Sequence, residues 1–299
     1  MEKITLTNQF GDSLTFSDYD PAFNWTFKGD LGSIPIAIST EKGYLQRGTS
    51  VIQKTISSKT FVFGVEVRGI SLTAFKTNMK LFSRFFDPEG EEMTLKYENT
   101  RVAGSKYMTV HVSSTPSILR NRSNHGRLSQ RFVLNLFAPI PVWEDESMTE
   151  TLLESQVDAF VFPIDISDAF IFAEVNDAGV EIDYEGDIST SIIIEFAGLS
   201  TNPSIENVTY SEKILLNKTI ADGDGFRINT DYNNTEVVEI ISGVESGAFA
   251  SVDPTYNSLN MTLRRGINLI KYTSDDTSRT SAVLKYKNKW LTPYSGVVD

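Results

Sequence analysis

The sequence predicts a mainly β protein with two domains, the first carrying one α-helix and the second forming an antiparallel β-sandwich. Short β-branched and aromatic runs recur between Gly, Asn and Asp turn signals, above all in the second half. One stretch in the first half has the apolar spacing of a helix instead. The chain has 299 residues, too many for one ordinary domain, and its composition changes just after Trp143.

The chain begins with a predicted β-hairpin at residues 2–16, where apolar and polar residues alternate on both sides of a Gly-Asp turn. Residues 18–48 are irregular and rich in Asp, Gly and Pro. Within them, Phe23, Trp25 and Phe27 have the spacing of one face of a strand. The sequence assigns no further structure or role to this region.

One helix is predicted after residue 70. Ser71 is a suitable N-cap, because its hydroxyl can accept a hydrogen bond from a backbone N–H of the first turn. Pro88 and Gly90 end the pattern. We expect the apolar stripe of this helix to lie in the core, the alternative being a face that a partner covers. The stripe follows the spacing i, i+3, i+7, i+10 and i+14 and consists of Leu72, Phe75, Met79, Phe82 and Phe86.

Further strands complete the first domain, which closes on an Ala138-Pro-Ile-Pro-Val-Trp143 segment. Its two prolines cannot lie inside a sheet, because proline has no N–H to donate. Residues 144–154 are acidic and polar, and we interpret them as a linker that is compatible with a helix. The domains are therefore placed at 1–145 and 146–299. The strands of the first domain are predicted at residues 60–68, 92–97, 106–113 and 130–137.

The second half is almost entirely strand-like. An almost unbroken β-branched run at residues 191–196 indicates a buried strand, and Asp222-Gly-Asp-Gly225 predicts a hairpin turn. The same turn resembles part of a calcium loop, but it lacks the third acidic position and the distal Glu. Further strands are predicted at 160–162, 170–172, 204–209, 213–216, 226–229, 236–241, 258–263, 269–272 and 282–286.

Composition excludes several classes of protein. The chain has no cysteine, so disulfide scaffolds, thiolate zinc sites and cysteine nucleophiles are excluded. It has no long apolar segment and no signal-peptide pattern, so no membrane insertion is expected. Residues 1–145 carry 17 basic and 14 acidic residues, a net charge of +3, whereas residues 146–299 carry 10 and 25, a net charge of −15. The acidic half would repel phosphates, and solubility alone can account for its charge.

Chemistry-bearing residues are sparse. The two histidines, His111 in a strand and His125 at a loop tip, have no acidic partners at metal-ligand spacing, and no hydrolase or nucleotide-binding motif occurs. No cofactor, metal or catalytic residue is therefore predicted. The second half has many carboxylates and one tryptophan, Trp290, which a sugar-binding sandwich could present to a glycan.

A basic loop is the main electrostatic feature of the first half. Its arginines are Arg120, Arg122 and Arg127, with Arg131 close by in the returning strand. One interpretation is a solvated hairpin tip. The other is an assembly contact with an acidic neighbouring subunit, or with DNA that passes through a ring.

Both halves also carry a family resemblance. In the second half it rests on the order Gly186-Asp187, an apolar run, Gly198, Asn202-Pro203, Asn207-x-Thr209, Gly223-Asp224, Ile228-x-Thr230 and a Leu-x-x-Gly-x-Asn tract at 263–268. This succession resembles the C-terminal domain of siphophage distal tail proteins. The strand, aromatic-rich helix, Pro-Glu-Gly stop, hairpin and closing Ala-Pro-x-Pro-x-Trp of the first half resemble the belt domain of the same family.

The resemblance implies a β-sandwich-like, ring-forming belt domain at 1–145 and a galectin-like β-sandwich at 146–299. It implies a structural virion protein and not an enzyme. Six copies would form a ring at the distal end of the tail, joining the tail tube to tail-fibre or receptor-binding proteins, with DNA passing through the lumen without specific binding. The protein would be in the host cytoplasm during assembly. The alternative function is a carbohydrate-binding module or glycan-active protein at a host cell surface.

Overall fold

A computed structural model describes residues 2–27, 29–100, 104–118, 126–155, 179–256, 258–276 and 280–294 of the chain. The chain forms two compact units. The first comprises Met1–Glu146 together with Lys289–Asp299, and the second comprises Ser147–Asn288. The division differs by one residue from the predicted boundary at 145/146. It also places residues 289–299 in the first unit, whereas the sequence prediction carries the second domain to the end of the chain.

The first unit is a mainly antiparallel sheet that closes on itself. Its strands follow the order β25-β10-β8-β7-β1-β2-β3-β6-β9, and β8 also pairs with β9. The first half of β8 pairs with β7 and β10. Its second half, from His111 to Ile118, pairs with β9, with register shifts between Val112 and Ser117. The elements are β1 (Glu2–Thr7), β2 (Ser13–Ser17), β3 (Phe23–Phe27), β4 (Ile36–Glu41), β5 (Ser50–Ile56), β6 (Lys59–Arg68), α1 (Leu72–Phe85), β7 (Met93–Asn99), β8 (Lys106–Ile118), β9 (Ser129–Ala138), β10 (Trp143–Asp145) and β25 (Lys289–Trp290).

Helix α1 begins as the sequence predicts. The Ser71 hydroxyl accepts a hydrogen bond from the Ala74 N–H at 3.1 Å. Phe82 and Phe86 lie in the core, as expected of the stripe, but Leu72 at its first residue is exposed. The stripe is therefore a core feature in the second half of the helix, where it meets the sheet.

The aromatic side chains of strand β3 do not all lie on one face, whereas the sequence predicts that they do. Trp25 is buried and Phe27 is exposed, because the pairing of β3 with β6 shifts register between these two residues. Such an irregularity changes the side to which the following side chain points. Alternation in the sequence cannot show where a bulge interrupts it.

The last described residues of the chain return to the first unit. Trp290 lies opposite Trp143 in the β10–β25 pair, and its indole Nε1 donates to Asp145 Oδ1 at 2.9 Å. The buried Lys106 ammonium lies 2.5 Å from the same oxygen and 4.3 Å from the centre of the Trp290 ring. Trp290 is thus a core residue of the first unit and is not an exposed tryptophan that the second domain could present to a glycan.

The second unit contains a six-stranded sheet, β11-β24-β14-β19-β20-β21, and a four-stranded sheet, β12-β23-β16-β17. Short 3-10 helices lie at Phe249–Ser251 and Pro254–Tyr256. The strands are β11 (Thr149–Ser155), β12 (Val180–Tyr184), β13 (Thr190–Ser191), β14 (Ile193–Ala197), β15 (Ser200–Thr201), β16 (Ser204–Asn207), β17 (Glu212–Leu215), β18 (Thr219–Ile220), β19 (Gly225–Asn229), β20 (Glu236–Ile241), β21 (Val244–Gly247), β22 (Thr262–Leu263), β23 (Gly266–Thr273) and β24 (Thr280–Tyr286).

The two sheets of the second unit enclose one apolar core. Rings from opposite sheets contact each other, with centroids 6.1 Å apart for Phe196 and Tyr272 and 5.9 Å apart for Tyr184 and Tyr286. Sheets that share their inner faces in this way form a β-sandwich. The mainly β fold with antiparallel packing is confirmed, and the galectin-like character of the sandwich stays a prediction.

Two local expectations for the second half are wrong. Residues 144–154 are not helical, because β10 and β11 occupy them and Leu153 is buried in the core as β11 pairs with β24. The turn at 222–225 exists, but it does not close a hairpin, because β18 pairs with β15 and β19 pairs with β14. Both differences depend on which residues are buried and on which strands pair, and local composition shows neither.

Several predicted features lie outside the described residues. These are the strands at 160–162 and 170–172 and the loop tip with His125. Within the described ranges, no helix has the combination of length and apolar composition that a membrane crossing requires.

The division into two units predicts an independently folding fragment. Residues 147–288 should be soluble, rich in β-structure and monomeric, because the second unit has its own core. Circular dichroism and thermal melts on this fragment test the prediction. A matched fragment that runs to residue 299 should melt at the same temperature, since the added residues belong to the other unit. An unfolded 147–288 fragment would show that the boundary is wrong.

Candidate assembly surface

The structure describes two of the four arginines that the sequence suggests as assembly contacts. Arg120 and Arg122 lie outside the described residues, and Arg127 is exposed next to them. Arg131 lies in β9, and its Nε is 3.8 Å from a carboxylate oxygen of the buried Glu66. Arg131 therefore takes part in an ion pair within the unit, whereas Arg127 is available to a neighbour.

A more extensive surface lies where the sequence predicts irregular structure. Strands β4 and β5 form a two-stranded sheet that pairs with no other strand in the described ranges. Every residue of both strands is exposed. We call β4, β5 and the turn between them, residues 36–56, the exposed hairpin. An isolated two-stranded hairpin is at best marginally stable in water, so this element needs a further surface to pack on.

One face of the exposed hairpin is mainly apolar. The register places Ile36 opposite Ile56 and Thr40 opposite Val51. Alternation puts Ile38 on the same side, opposite Lys54. These isoleucine and valine side chains are 42–58% exposed. The opposite face carries Ala37, Ser39, Gln53 and Thr55. An apolar face on an element that lacks packing is typical of a protein–protein contact.

The base of the exposed hairpin is fixed by a small polar cluster. Asp30 Oδ1 accepts hydrogen bonds from the N–H groups of Gly32 and Ser33, and the Ser33 hydroxyl donates to its other oxygen. These bonds, led by the one from the Ser33 hydroxyl, lower the pKa of Asp30 from 3.8 to about 2. Lys59 Nζ donates to the carbonyl of Asp30 at 2.7 Å. The carboxylate is therefore charged in all ordinary conditions and holds the segment that leads into β4.

The tip of the exposed hairpin presents two large apolar side chains. Tyr44 is 97% exposed and Leu45 is 85% exposed. The Gln46 side chain closes the turn by accepting from the Gly43 N–H at 2.8 Å. Leu45 has a φ of 63°, a conformation that costs a non-glycine residue about 1–3 kcal/mol and that concentrates at functional sites. The tip is thus an ordered turn that displays an aromatic and an aliphatic group.

Only a weak pattern in the sequence indicates this hairpin. Ile36 and Ile38 alternate, and Gly43 and Gly48 are natural turn residues. This alternation covers only a few residues of each strand, and a register shift between Ser39 and Thr40 interrupts it. A regular β-hairpin therefore lies in a region whose composition predicts irregular structure.

Charged side chains lie on the outer face of the larger sheet of the second unit. They form ion pairs there: Lys285 with Glu150 and Glu195, and Arg227 with Glu245. Among the described residues, no group of three or more His, Asp or Glu side chains could hold a metal ion.

Comparisons with known proteins identify the fold. No family model and no curated protein matches the chain. The chain is similar to the solved structure of the Dit protein of phage SPP1, which is described as a paradigm of the hub adsorption apparatus in phages that infect Gram-positive bacteria. The TM-score is 0.64 and the identity 9%, and the match covers 96% of this chain and 98% of that chain. This chain has the fold of a phage hub protein.

A second set of structures agrees with this assignment. A chain of the phage P2 baseplate in its activated conformation with Ca matches with a TM-score of 0.53 and 15% identity, over 96% of this chain and 98% of that one. The baseplate with Sr matches with a TM-score of 0.50 and 14% identity, over 95% and 98%. At these identities the likeness concerns the hub-protein fold, and it extends over both units of the chain.

Proposed function

We propose that this chain is a structural tail-hub protein of a siphophage or prophage, and that six copies form a ring at the distal end of the tail. The observation that carries the proposal is the hub-protein fold, shared over nearly the whole length of both chains. The exposed hairpin supports it independently, because a protein whose apolar strands lack packing needs a neighbour.

The proposed mechanism is geometric and uses no catalytic residue. In a closed ring with head-to-tail contacts, each copy contacts a neighbour on both sides, and no interface is left without a partner. The ring would join the tail tube on one side to tail-fibre or receptor-binding proteins on the other. DNA would pass through its lumen without specific binding, and the protein would be in the host cytoplasm before the tail is assembled. Arg127, with Arg120 and Arg122, stays a proposed contact to an acidic surface of a neighbouring copy or partner.

Changing the apolar face of the exposed hairpin should abolish the ring. The triple variant Ile36→Ser, Ile38→Ser, Ile56→Ser should be monomeric, with the circular dichroism spectrum and melting temperature of the unchanged protein. Full burial of one isoleucine contributes about 1.5–3 kcal/mol. These side chains are only 42–58% exposed before assembly, so the lower end applies to each. Light scattering should report six times the chain mass of 33.4 kDa for the unchanged protein and one times that mass for the variant.

A matched control lies on the opposite face of the same hairpin. The variant Ser39→Ala, Gln53→Ala, Thr55→Ala changes as many residues and should assemble normally. If the ring forms only in the presence of its partner proteins, electron microscopy of intact tails should show it. A strict monomer in solution and no ring in the tail would contradict the proposed function. A ring that survives the triple isoleucine change would exclude the hairpin face as its contact.

A further inference from the structure

The charged side chains of helix α1 are all basic, because the helix contains no acidic residue. They follow the spacing i, i+4 and i+8, which aligns them along one side of the helix. All are exposed, and none forms an ion pair within the described ranges. Like charges one turn apart destabilise a helix, so the folding of α1 does not account for this arrangement. We call these residues the basic stripe: Lys76, Lys80 and Arg84.

A stripe of the opposite sign lies on the second unit. In the described part of the chain, strand β12 is an edge of the four-stranded sheet and pairs with β23 alone. Its residues Ile182 and Tyr184 point inward and are buried, and acidic residues alternate with them on the outer side. These are exposed and form no ion pair among the described residues. We call them the acidic stripe: Glu181, Asp183 and, directly after the strand, Glu185.

The acidic stripe differs from the other carboxylates on the outer faces of this unit. On the larger sheet, Lys285 Nζ lies 3.3 Å from a carboxylate oxygen of Glu150 and 3.0 Å from one of Glu195. Opposite charges on neighbouring strands stabilise a sheet. The acidic stripe has no such cations beside it, because the residues opposite it in the β12–β23 pair include Leu269 and Ile267. Its charges therefore remain available to a partner.

The two stripes match in length and have opposite charge. Residues four apart in a helix are separated by about 6 Å along the axis, and residues two apart in a strand by about 6.5 Å. Three cations can therefore face three carboxylates one to one. Exposed apolar side chains lie beside both stripes: Leu81 on the helix is 48% exposed, and Ile267 opposite Asp183 is 58% exposed. Contact between such groups excludes water, and this strengthens the ion pairs next to them.

We propose that the basic stripe of one copy binds the acidic stripe of a neighbouring copy. This inference rests on the proposed ring and adds an electrostatic contact between the first unit of one copy and the second unit of the next. The charge distribution supports a second copy as the partner, since residues 1–145 carry a net charge of +3 and residues 146–299 one of −15. Such a chain attracts its copies head to tail and disfavours arrangements that bring two second units together.

Charge reversal tests the pairing in the full chain. Each reversal alone should weaken assembly by about tenfold or more at low salt, and the loss should shrink as salt rises. The measurement is the chain concentration at which half of the copies are assembled. The chain with all six changes should assemble like the unchanged protein, because opposite charges face each other again. The helix variant is Lys76→Glu, Lys80→Glu, Arg84→Glu, and the strand variant is Glu181→Lys, Asp183→Lys, Glu185→Lys.

The strand variant is its own control for net charge. Replacing three carboxylates by three cations changes the net charge of the chain from −12 to −6. If net charge alone governed association, this variant would assemble more readily, since repulsion between copies falls. Weaker assembly therefore supports the inference, and unchanged or stronger assembly overturns it. If both variants are weakened and the chain with six changes does not recover, the stripes contact a different protein and the inference is wrong.

Crosslinking tests the same contact without any substitution. A carbodiimide joins a lysine amine to a carboxylate that touches it, through an amide bond without a spacer. In a ring assembled from isotope-labelled and unlabelled copies, mass spectrometry should find Lys80 joined to the acidic stripe, including crosslinks with the label in only one of the two peptides. The control is Lys3, which lies 2.8 Å from Glu98 of the same copy and should give no crosslink of this mixed kind.

The two proposals fail in different ways. A ring that gives the Lys3 crosslink but no mixed crosslink between α1 and the acidic stripe overturns the inference and leaves the proposed function standing. If the unchanged protein forms no ring in solution or in tails, the proposed function fails together with the inference.

Discussion

Replacing Phe82 by alanine should lower the free energy of unfolding of the first unit by about 3–5 kcal/mol, the usual cost of removing a buried phenylalanine. Phe82 is fully buried. Its ring centroid lies 4.9 Å from that of Phe132, 5.0 Å from that of Phe86 and 6.2 Å from that of Phe23. Because these neighbours come from the helix and from two strands of the closed sheet, they cannot all move to fill the cavity. Scanning calorimetry should show a lower transition temperature for the first unit.

Phe10→Ala is the matched control for this substitution. Phe10 is 77% exposed, and substitutions at exposed positions usually change stability by less than about 0.5 kcal/mol. The isolated 147–288 fragment identifies which calorimetric transition belongs to the second unit. An unchanged melting temperature for Phe82→Ala combined with lost assembly would mean that the helix stripe faces a neighbouring subunit and not the core.

Replacing Asp145 by alanine should destabilise the first unit by about 3–5 kcal/mol, because breaking a buried ion pair leaves the remaining charge uncompensated. The Lys106 side chain is 4% exposed and that of Asp145 is 26% exposed. Water can therefore reach part of the site, and we expect the lower end of this range. The same change removes the acceptor of the Trp290 indole N–H. Denaturant unfolding followed by tryptophan fluorescence measures the loss.

A rescue variant distinguishes the uncompensated charge from a general packing defect. Adding Lys106→Met to Asp145→Ala removes the buried charge and keeps an unbranched side chain against the Trp290 ring. The double variant should recover most of the lost stability, since replacing a buried ion pair by apolar groups is often neutral or stabilising. Equal stability of the single and double variants would show that the lysine charge does not cause the loss.

Only part of the candidate assembly surface can be predicted from the sequence. The basic loop is visible in the sequence because charge is read directly from composition, and Arg127 is indeed exposed. Arg131 looks equivalent in the sequence, but Glu66 from a strand far along the chain engages it. The exposed hairpin is missed, because its apolar–polar alternation covers only a few residues of each strand and a register shift interrupts it.

The sequence by itself determined the elements whose stabilising contacts are local. The Ser71 cap and the position of α1 follow from groups three to four residues apart, and the buried run near Ile194 follows from its continuous β-branched composition. Only the tertiary structure decided which strands pair and where the chain ends. Trp290 lies in the first unit because it bonds Asp145, 145 residues away. Strand partners and buried ion pairs form between segments that are distant in sequence, and local periodicity carries no record of which distant segment will be the partner.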